Sequence, residues 1–240
     1  MKDTDITLAI PYSVEDPNPE RERLLDFVLA RWQLRSPNSR IIISDDDSNV
    51  GGVWNRARAR NNALSQVKTR YVVIADADTI ISMKSIRQAL ELIEARLPYA
   101  SWVLPYGPSN YYNLTQEYTE SVLKRGAVAD MPPEDKLEYE HKLESWAGVL
   151  VMTTAAFERV GGYDERFIGW GGEDNAFRLA MDTLWAPHDR VDGACVHLWH
   201  SAPESERFGN PNWNHNRVLL QEYTVRYGRP KAMKDFIDAR

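Results

Sequence analysis

The chain contains one cysteine, Cys195, which excludes an intrachain disulfide framework and fits a reducing compartment. No apolar run approaches the roughly 18 residues that a membrane span requires. The first residues, MKDTDITLAI, lack the long apolar segment of a secretory signal, so the expectation is a cytoplasmic protein. An excess of basic charge is missing too: 29 Lys and Arg face 35 Asp and Glu, for a net charge of −6. Direct nucleic-acid binding through a basic face is therefore not expected. There is no GxxxxGKS phosphate loop and no GxGxxG after the first apolar run, which argues against ATPase and dinucleotide-dehydrogenase readings. No repeat, low-complexity tract or evident linker divides the 240 residues, a length suited to one large α/β domain or two small ones.

What is present alternates between two periodicities. Ile6 to Ile10 reads as a strand ending at Pro11-Tyr12, and an acidic, Pro-rich loop from Glu15 to Glu20 leads to a helical pattern through Leu24, Leu25, Phe27, Val28 and Trp32. Ile41 to Ile43 is a second strand ending in Asp45-Asp46-Asp47, and Val53 to Val67 reads as a helix. Tyr71 to Ala75 is a third strand ending in Asp76-Ala77-Asp78, with a helix over Met83 to Ala95 and a strand at Trp102 to Leu104. Such alternation implies βαβ units and a mostly parallel sheet flanked by helices, whose ligands bind at the carboxyl ends of the strands. Acidic clusters fall at three of those ends. Residues from about Gly107 to His141 read as helical excursions or an acceptor-side flap. A strand over Ala147 to Met152, a short helix from Thr154, a final strand over Val191 to Trp199 and a helical tail from Trp213 to Tyr227 complete the chain.

Four groups of residues carry chemistry. On an extended strand, Asp76 and Asp78 project to the same side; there they bind a hard divalent cation that also bridges pyrophosphate oxygens, or they form a solvated turn before the helix. His197 and His200 add imidazole donors suited with Asp78 to a first-row ion such as Mn²⁺, provided the strand bends near Trp199; singly, each is an ordinary packed histidine. Asp45, Asp46 and Asp47 accept from a base or ribose, or make an acidic turn. Arg56, Arg58 and Arg60 suit a diphosphate, but a spacing of two separates helical neighbours by about 200°, so at least one faces elsewhere. The segment Phe167-Ile168-Gly169-Trp170-Gly171-Gly172-Glu173-Asp174-Asn175 places carboxylates beside an aromatic at a helix start, where the dipole favours ionisation. That is the equipment of a general base for a sugar hydroxyl, with Asp174 as the base.

Together these pieces resemble GT-A glycosyltransferases, in particular the animal β-1,4-galactosyltransferase family and its chondroitin-polymerase and polypeptide N-acetylgalactosaminyltransferase relatives. The resemblance rests on Trp54-Asn55-Arg56-Ala57-Arg58, Asp76-Ala77-Asp78, Ala147-Gly148-Val149, Gly161-Gly162-Tyr163, Trp170-Gly171-Gly172-Glu173-Asp174 and Cys195 to Ser201, in family order. It implies a single GT-A domain with a nucleotide-binding half over about 1–105 and an acceptor and metal half over about 106–240. It implies a UDP-sugar donor, a carbohydrate or glycoconjugate acceptor, and Mn²⁺ or Mg²⁺ held by Asp78, His197 and His200. Pro11, Tyr12, Asp45 or Asp46, Arg56, Arg60 and Asp76 would line the donor site. Trp170 would close over the donor, Glu173, Asp174 and Trp170 would meet the acceptor, and transfer would invert the anomeric carbon.

The chain also departs from the family. His197 stands where the animal enzymes carry methionine, Asn175 where they carry a further aspartate, and Ser145 near an aromatic that crowds the donor's 2-substituent, which leaves room for an N-acetylated sugar. Three other readings compete: a retaining UDP-sugar transferase, a nucleotidyltransferase releasing pyrophosphate, and a sugar-binding module without catalysis.

Overall fold

The computed structural model describes residues 3–13, 18–47, 53–97, 102–201 and 211–240. The part of the acidic loop at 14–17 lies outside them. In chain order the elements are β1 (Ile6–Pro11), α1 (Pro19–Arg35), β2 (Arg40–Ser44), α2 (Arg56–Ser65), β3 (Tyr71–Ala75), β4 (Thr79–Ile80), α3 (Met83–Ala95), β5 (Val103–Leu104) and β6 (Tyr111–Leu114). They continue with α4 (Gln116–Arg125), β7 (Tyr139–Leu143), β8 (Val149–Thr153), α5 (Thr154–Arg159), α6 (Glu173–Leu184), β9 (Asp189–Arg190), β10 (Cys195–His197), α7 (Trp213–Thr224) and α8 (Pro230–Asp238).

The main sheet runs β2-β1-β3-β8-β5-β9. Every residue of β1, β3 and β8 is buried, the signature of strands covered on both faces. β2, β1 and β3 are parallel, as the alternation predicts, whereas β8 runs antiparallel to both its neighbours. A side-chain oxygen at the residue before each helix sets several starts: Asn18 accepts from Glu20 and Arg21 N–H, Asn55 from Arg58, and Ser82 from Ser85. α3 buries Ile86, Ala89, Leu90 and Ile93, one apolar stripe at helical spacing. Each larger member of it contributes about 1.5–3 kcal/mol on burial.

A second sheet, β4-β10-β6-β7, was not legible in the sequence. The region from Gly107 to His141, expected to be helical excursions or a flap, instead supplies strand β6, helix α4 and the start of β7. Its strands are short, and β7 is exposed throughout, so no apolar alternation announced them. Residues at the carboxyl ends of β1, β2 and β3 in the first sheet and residues of β6, β7 and β10 in the second line one cleft.

Candidate active site

β1, β2 and β3 end at the same side of the main sheet, and their terminal residues Pro11, Tyr12, Asp46, Asp76 and Asp78 line a cleft of about 1290 Å³. The opposite wall carries Trp170, Glu173 and Asp174, and His197 and His200 close one end. That volume exceeds the roughly 300–1000 Å³ of a single small-ligand pocket.

The strand end at Ala75 decides what the two aspartates do. Because the chain turns after Ala75, Asp76 and Asp78 do not share one face as an extended strand would have them. Asp76 Oδ1 accepts from Arg60 Nη2 at 3.0 Å. Asp78 is carried toward β10 by the antiparallel β4–β10 pairing, in which His197 faces Thr79, and Leu198 N–H donates to the Asp78 carbonyl at 2.9 Å. β10 stops at His197, and Trp199 N–H is taken by Thr119 Oγ1 at 2.9 Å. The resulting bend brings the two imidazoles to 5.2 Å between centroids, although they are three residues apart. Gly148 makes the turn possible: it has φ +83°, a Cβ there would lie 2.5 Å from the Tyr111 ring, and its carbonyl accepts from Asp76 N–H.

His200 Nε2 lies 3.2 Å from Asp78 Oδ2, and His197 Nε2 lies 3.5 Å from Asp78 Oδ1. One ligand atom from each of the three residues lies within 4.8 Å of the others, and among the described residues they form the one His, Cys, Asp and Glu cluster of this kind. His200 Nδ1 sits 3.0 Å from the Ser201 carbonyl, which can only accept. Arg21 Nη2, which can only donate, lies 3.5 Å from the same nitrogen, and Nε2 faces Asp78. Asp78 Oδ1 is buried without a hydrogen-bond partner among the described residues. Two imidazoles around one carboxylate, with an orphaned carboxylate oxygen between them, are a donor set that fits a divalent cation. Burial alone would raise the Asp78 pKa, but His197 and His200 outweigh it and hold the carboxyl far below its ordinary range. Burial lowers the His197 pKa; for His200 burial is overcome by the contact with Asp78, and the pKa rises.

The other wall is built differently. Gly172, at φ +99°, precedes α6, and a Cβ there would lie 2.9 Å from the Phe167 ring. The Trp170 segment is pinned to α7 by buried Asn216, whose Nδ2 donates to the carbonyls of Ile168 (2.9 Å) and Trp170 (3.3 Å). Trp170 stacks on Trp213 at 5.9 Å. Glu173 is 4 % exposed and Asp174 18 % exposed, and Arg60 Nη1 lies 3.3 Å from the former and 2.9 Å from the latter. Burial raises the Asp174 pKa well above the ordinary carboxylate range, Glu173 and Asp76 add to it, and Arg60 opposes it. Desolvation and like charge thus outweigh the helix dipole invoked to favour ionisation.

Two expected donor-site residues do not reach the cleft. Asp45 is absent from its lining, with Oδ1 accepting from Trp54 Nε1 and Asp46 N–H, both at 2.8 Å. Arg60 is also absent from it, because its guanidinium is buried beneath the floor among three carboxylates. Asp46 does line the cleft, and its Oδ2 accepts from Asn55 N–H at 2.8 Å. Arg56 faces the cleft, while Arg58 turns away to Glu165 at 2.8 Å, as the helical spacing requires of one arginine. The sequence reading missed Asn216, whose helical surroundings give no sign of a loop anchor. It also missed Asn113, which lies beside His197 in the β10–β6 register and lines the cleft with Nδ2 unpartnered among the described residues.

The family model described as the N-terminal domain of galactosyltransferase matches residues 133–182, from before β7 into α6. No curated protein sequence matches the chain. Among solved structures, a mutant of Drosophila β1,4-galactosyltransferase 7 in complex with manganese, UDP-Gal and xylobiose superposes with a TM-score of 0.54 at 15% identity, covering 89% of this chain and 78% of that one. S. aureus TarS in complex with UDP-GlcNAc gives 0.57 at 12% identity, covering 99% and 70%. The Pyrobaculum calidifontis mannosyltransferase PcManGT, in complex with GDP-Man and Mn²⁺, gives 0.51 at 16% identity, covering 98% and 68%. The chain has the GT-A fold of these glycosyltransferases.

Proposed function

We propose that this protein is a metal-dependent glycosyltransferase that moves a hexose or N-acetylhexosamine from a UDP-sugar to an acceptor hydroxyl on a sugar, with inversion. One observation carries the reading: a single cleft holds the Asp78, His197 and His200 cluster at one end and the Trp170 to Asp174 segment along its wall. Two neighbours of the same fold were solved with Mn²⁺ and a nucleotide sugar, which supports the same use of this cleft.

In this reading Pro11, Tyr12 and Asp46 receive the uridine at the strand ends, Arg56 faces the diphosphate, and Asp76 the ribose or donor sugar. Asp78, His197 and His200 would hold Mn²⁺ or Mg²⁺, which when bound supplies positive charge to a diphosphate leaving group. Glu173 and Trp170 position the acceptor, and Asp174 takes the proton from its hydroxyl as that oxygen bonds to the anomeric carbon and the bond to UDP breaks. A raised Asp174 pKa suits this role, because a base is most effective when its pKa lies near the working pH.

Incubating the protein with Mn²⁺, an acceptor panel and UDP-Gal, UDP-GlcNAc, UDP-GalNAc or GDP-Man tests the reading. The expected result is release of the nucleoside diphosphate and, by NMR, a product of inverted anomeric configuration. Retention would overturn the base role of Asp174, and release of pyrophosphate would replace glycosyl transfer by nucleotidyl transfer.

A further inference from the structure

Arg60 is 2 % exposed, and its guanidinium meets carboxylates from two separate parts of the chain. Nη2 donates to Asp76 Oδ1 at 3.0 Å, just past β3; in the first turn of α6, Nη1 donates to Glu173 Oε1 at 3.3 Å and forms an ion pair, without a hydrogen bond, with Asp174 Oδ1 at 2.9 Å. Its flat face lies over the Tyr163 ring at 4.9 Å, and Tyr163 stacks in turn on Phe177 of α6 at 4.1 Å. The helix that carries Arg60 is itself fastened to the same turn, since Asn61 Nδ2 donates to the Tyr163 carbonyl at 3.0 Å and Asn61 Oδ1 accepts from Tyr163 N–H at 2.9 Å. Backbone and side chain are therefore both fixed.

Three carboxylates held this close repel one another, and one planar cation between them sets their spacing. A lysine ammonium is a single point charge and cannot span the two walls as the forked guanidinium does. We propose that Arg60 is the positioning residue of this site: from beneath the floor it fixes the Asp174 carboxylate and ties the α6 wall to Asp76 on the β3 wall. The role rests on the reading of Asp174 as the base. The charged and titratable groups facing Asp174 are Arg60 and Arg56 from α2, Asp76 after β3, its neighbour Glu173, Tyr163 from the turn before the Trp170 segment, and Tyr106. Arg60 is the foremost of the two arginines opposing its protonation.

The test is Arg60→Lys, with kcat, KM for the UDP-sugar and the pH profile measured on protein whose fold is checked by circular dichroism. The expected result is a fall in kcat of ~10–100-fold, since small displacements of a reacting group have effects of this size. KM for the donor should change by less than ~3-fold, and the acid limb of kcat should move up by about one pH unit. In an Asp174→Asn background, Arg60→Lys should cause no further loss, because both changes disable one unit. A folded Arg60→Lys with wild-type kcat and an unmoved acid limb overturns the proposal. A raised KM at unchanged kcat overturns it as well, by making Arg60 a donor contact. Full turnover in Asp174→Asn alone removes the base reading instead, which separates the two failures. Should Arg60→Lys not fold, Tyr163→Leu removes the ring beneath the guanidinium and is read in the same way: a smaller fall in kcat with the same upward shift supports the proposal, and no change in either overturns it.

Discussion

Asp76 and Asp78 are two residues apart, yet they belong to opposite kinds of acidic site. Asp78 is one carboxylate facing two imidazoles, and those neighbours drive its pKa down. Asp76 joins Glu173 and Asp174 around one guanidinium, and there burial and like charge drive the Asp174 pKa up. The first arrangement keeps a carboxylate ionised beside two imidazoles, which is what a cation ligand needs. The second crowds negative charge until one member holds a proton more readily, which is what a general base needs. The contrast shows that a pair of aspartates at a strand end has no fixed chemistry: the elements that arrive from elsewhere assign it.

The largest expected break of this contrast is Asp174→Asn, which should lower turnover by about 10²–10⁴-fold. Calorimetric binding of UDP with Mn²⁺ should stay near wild type in that variant, and a matching loss of binding would move Asp174 to the donor side. Next is His200→Ala, for which metal-dependent UDP affinity should fall by at least ~10-fold. Unchanged affinity in the same calorimetric titration would take His200 out of the cation site. The pH profile sharpens the comparison without a mutation. Because the base acts ionised and its pKa is raised, transfer should be lost as pH falls through a value above the ordinary carboxylate figure of about 4, whereas an acid limb at or below that figure would contradict the crowded environment.

The smallest effect on chemistry belongs to a carboxylate outside the cleft. Asp164 accepts from Tyr223 Oη at 2.8 Å and Arg166 Nη2 at 2.7 Å. Burial would raise its pKa, but the Arg166 and Tyr223 hydrogen bonds prevail and lower it. A lowered folded pKa contributes stability at pH above the unfolded value, and that stability is lost as pH falls through the folded one. Asp164→Ala should therefore destabilise by about 2–4 kcal/mol in urea at neutral pH, with less difference from wild type in acid, and leave the pH profile of transfer in place. A moved profile would mean that Asp164 acts on the site.

Much of the first half was legible in the sequence because its signals are local. Ile6 to Ile10, apolar but for Thr7, and Tyr71 to Ala75 are apolar runs, and each is a buried strand where expected, the two pairing in parallel. Asp46, Asp76, Asp78, Arg56, Trp170, Glu173 and Asp174 were singled out by type and position, and all of them line one cleft. Arg60 was misplaced because a basic residue on a helix near a phosphate site reads the same whether it points into the cleft or under its floor. The second sheet was missed because its strands are too short and too exposed to show a period.

The sequence by itself determined the βαβ order of the first half, the acidic strand ends and the Gly-rich start of α6, since each depends on neighbours within a few residues. The tertiary structure alone decided that Asp78 meets His197 and His200, and that Arg60 meets Asp76, Glu173 and Asp174. The Asp78 contacts and those of Arg60 with Glu173 and Asp174 join residues more than 100 positions apart, and even Arg60 and Asp76 are 16 apart, so only the packing of separate elements brings their charges together.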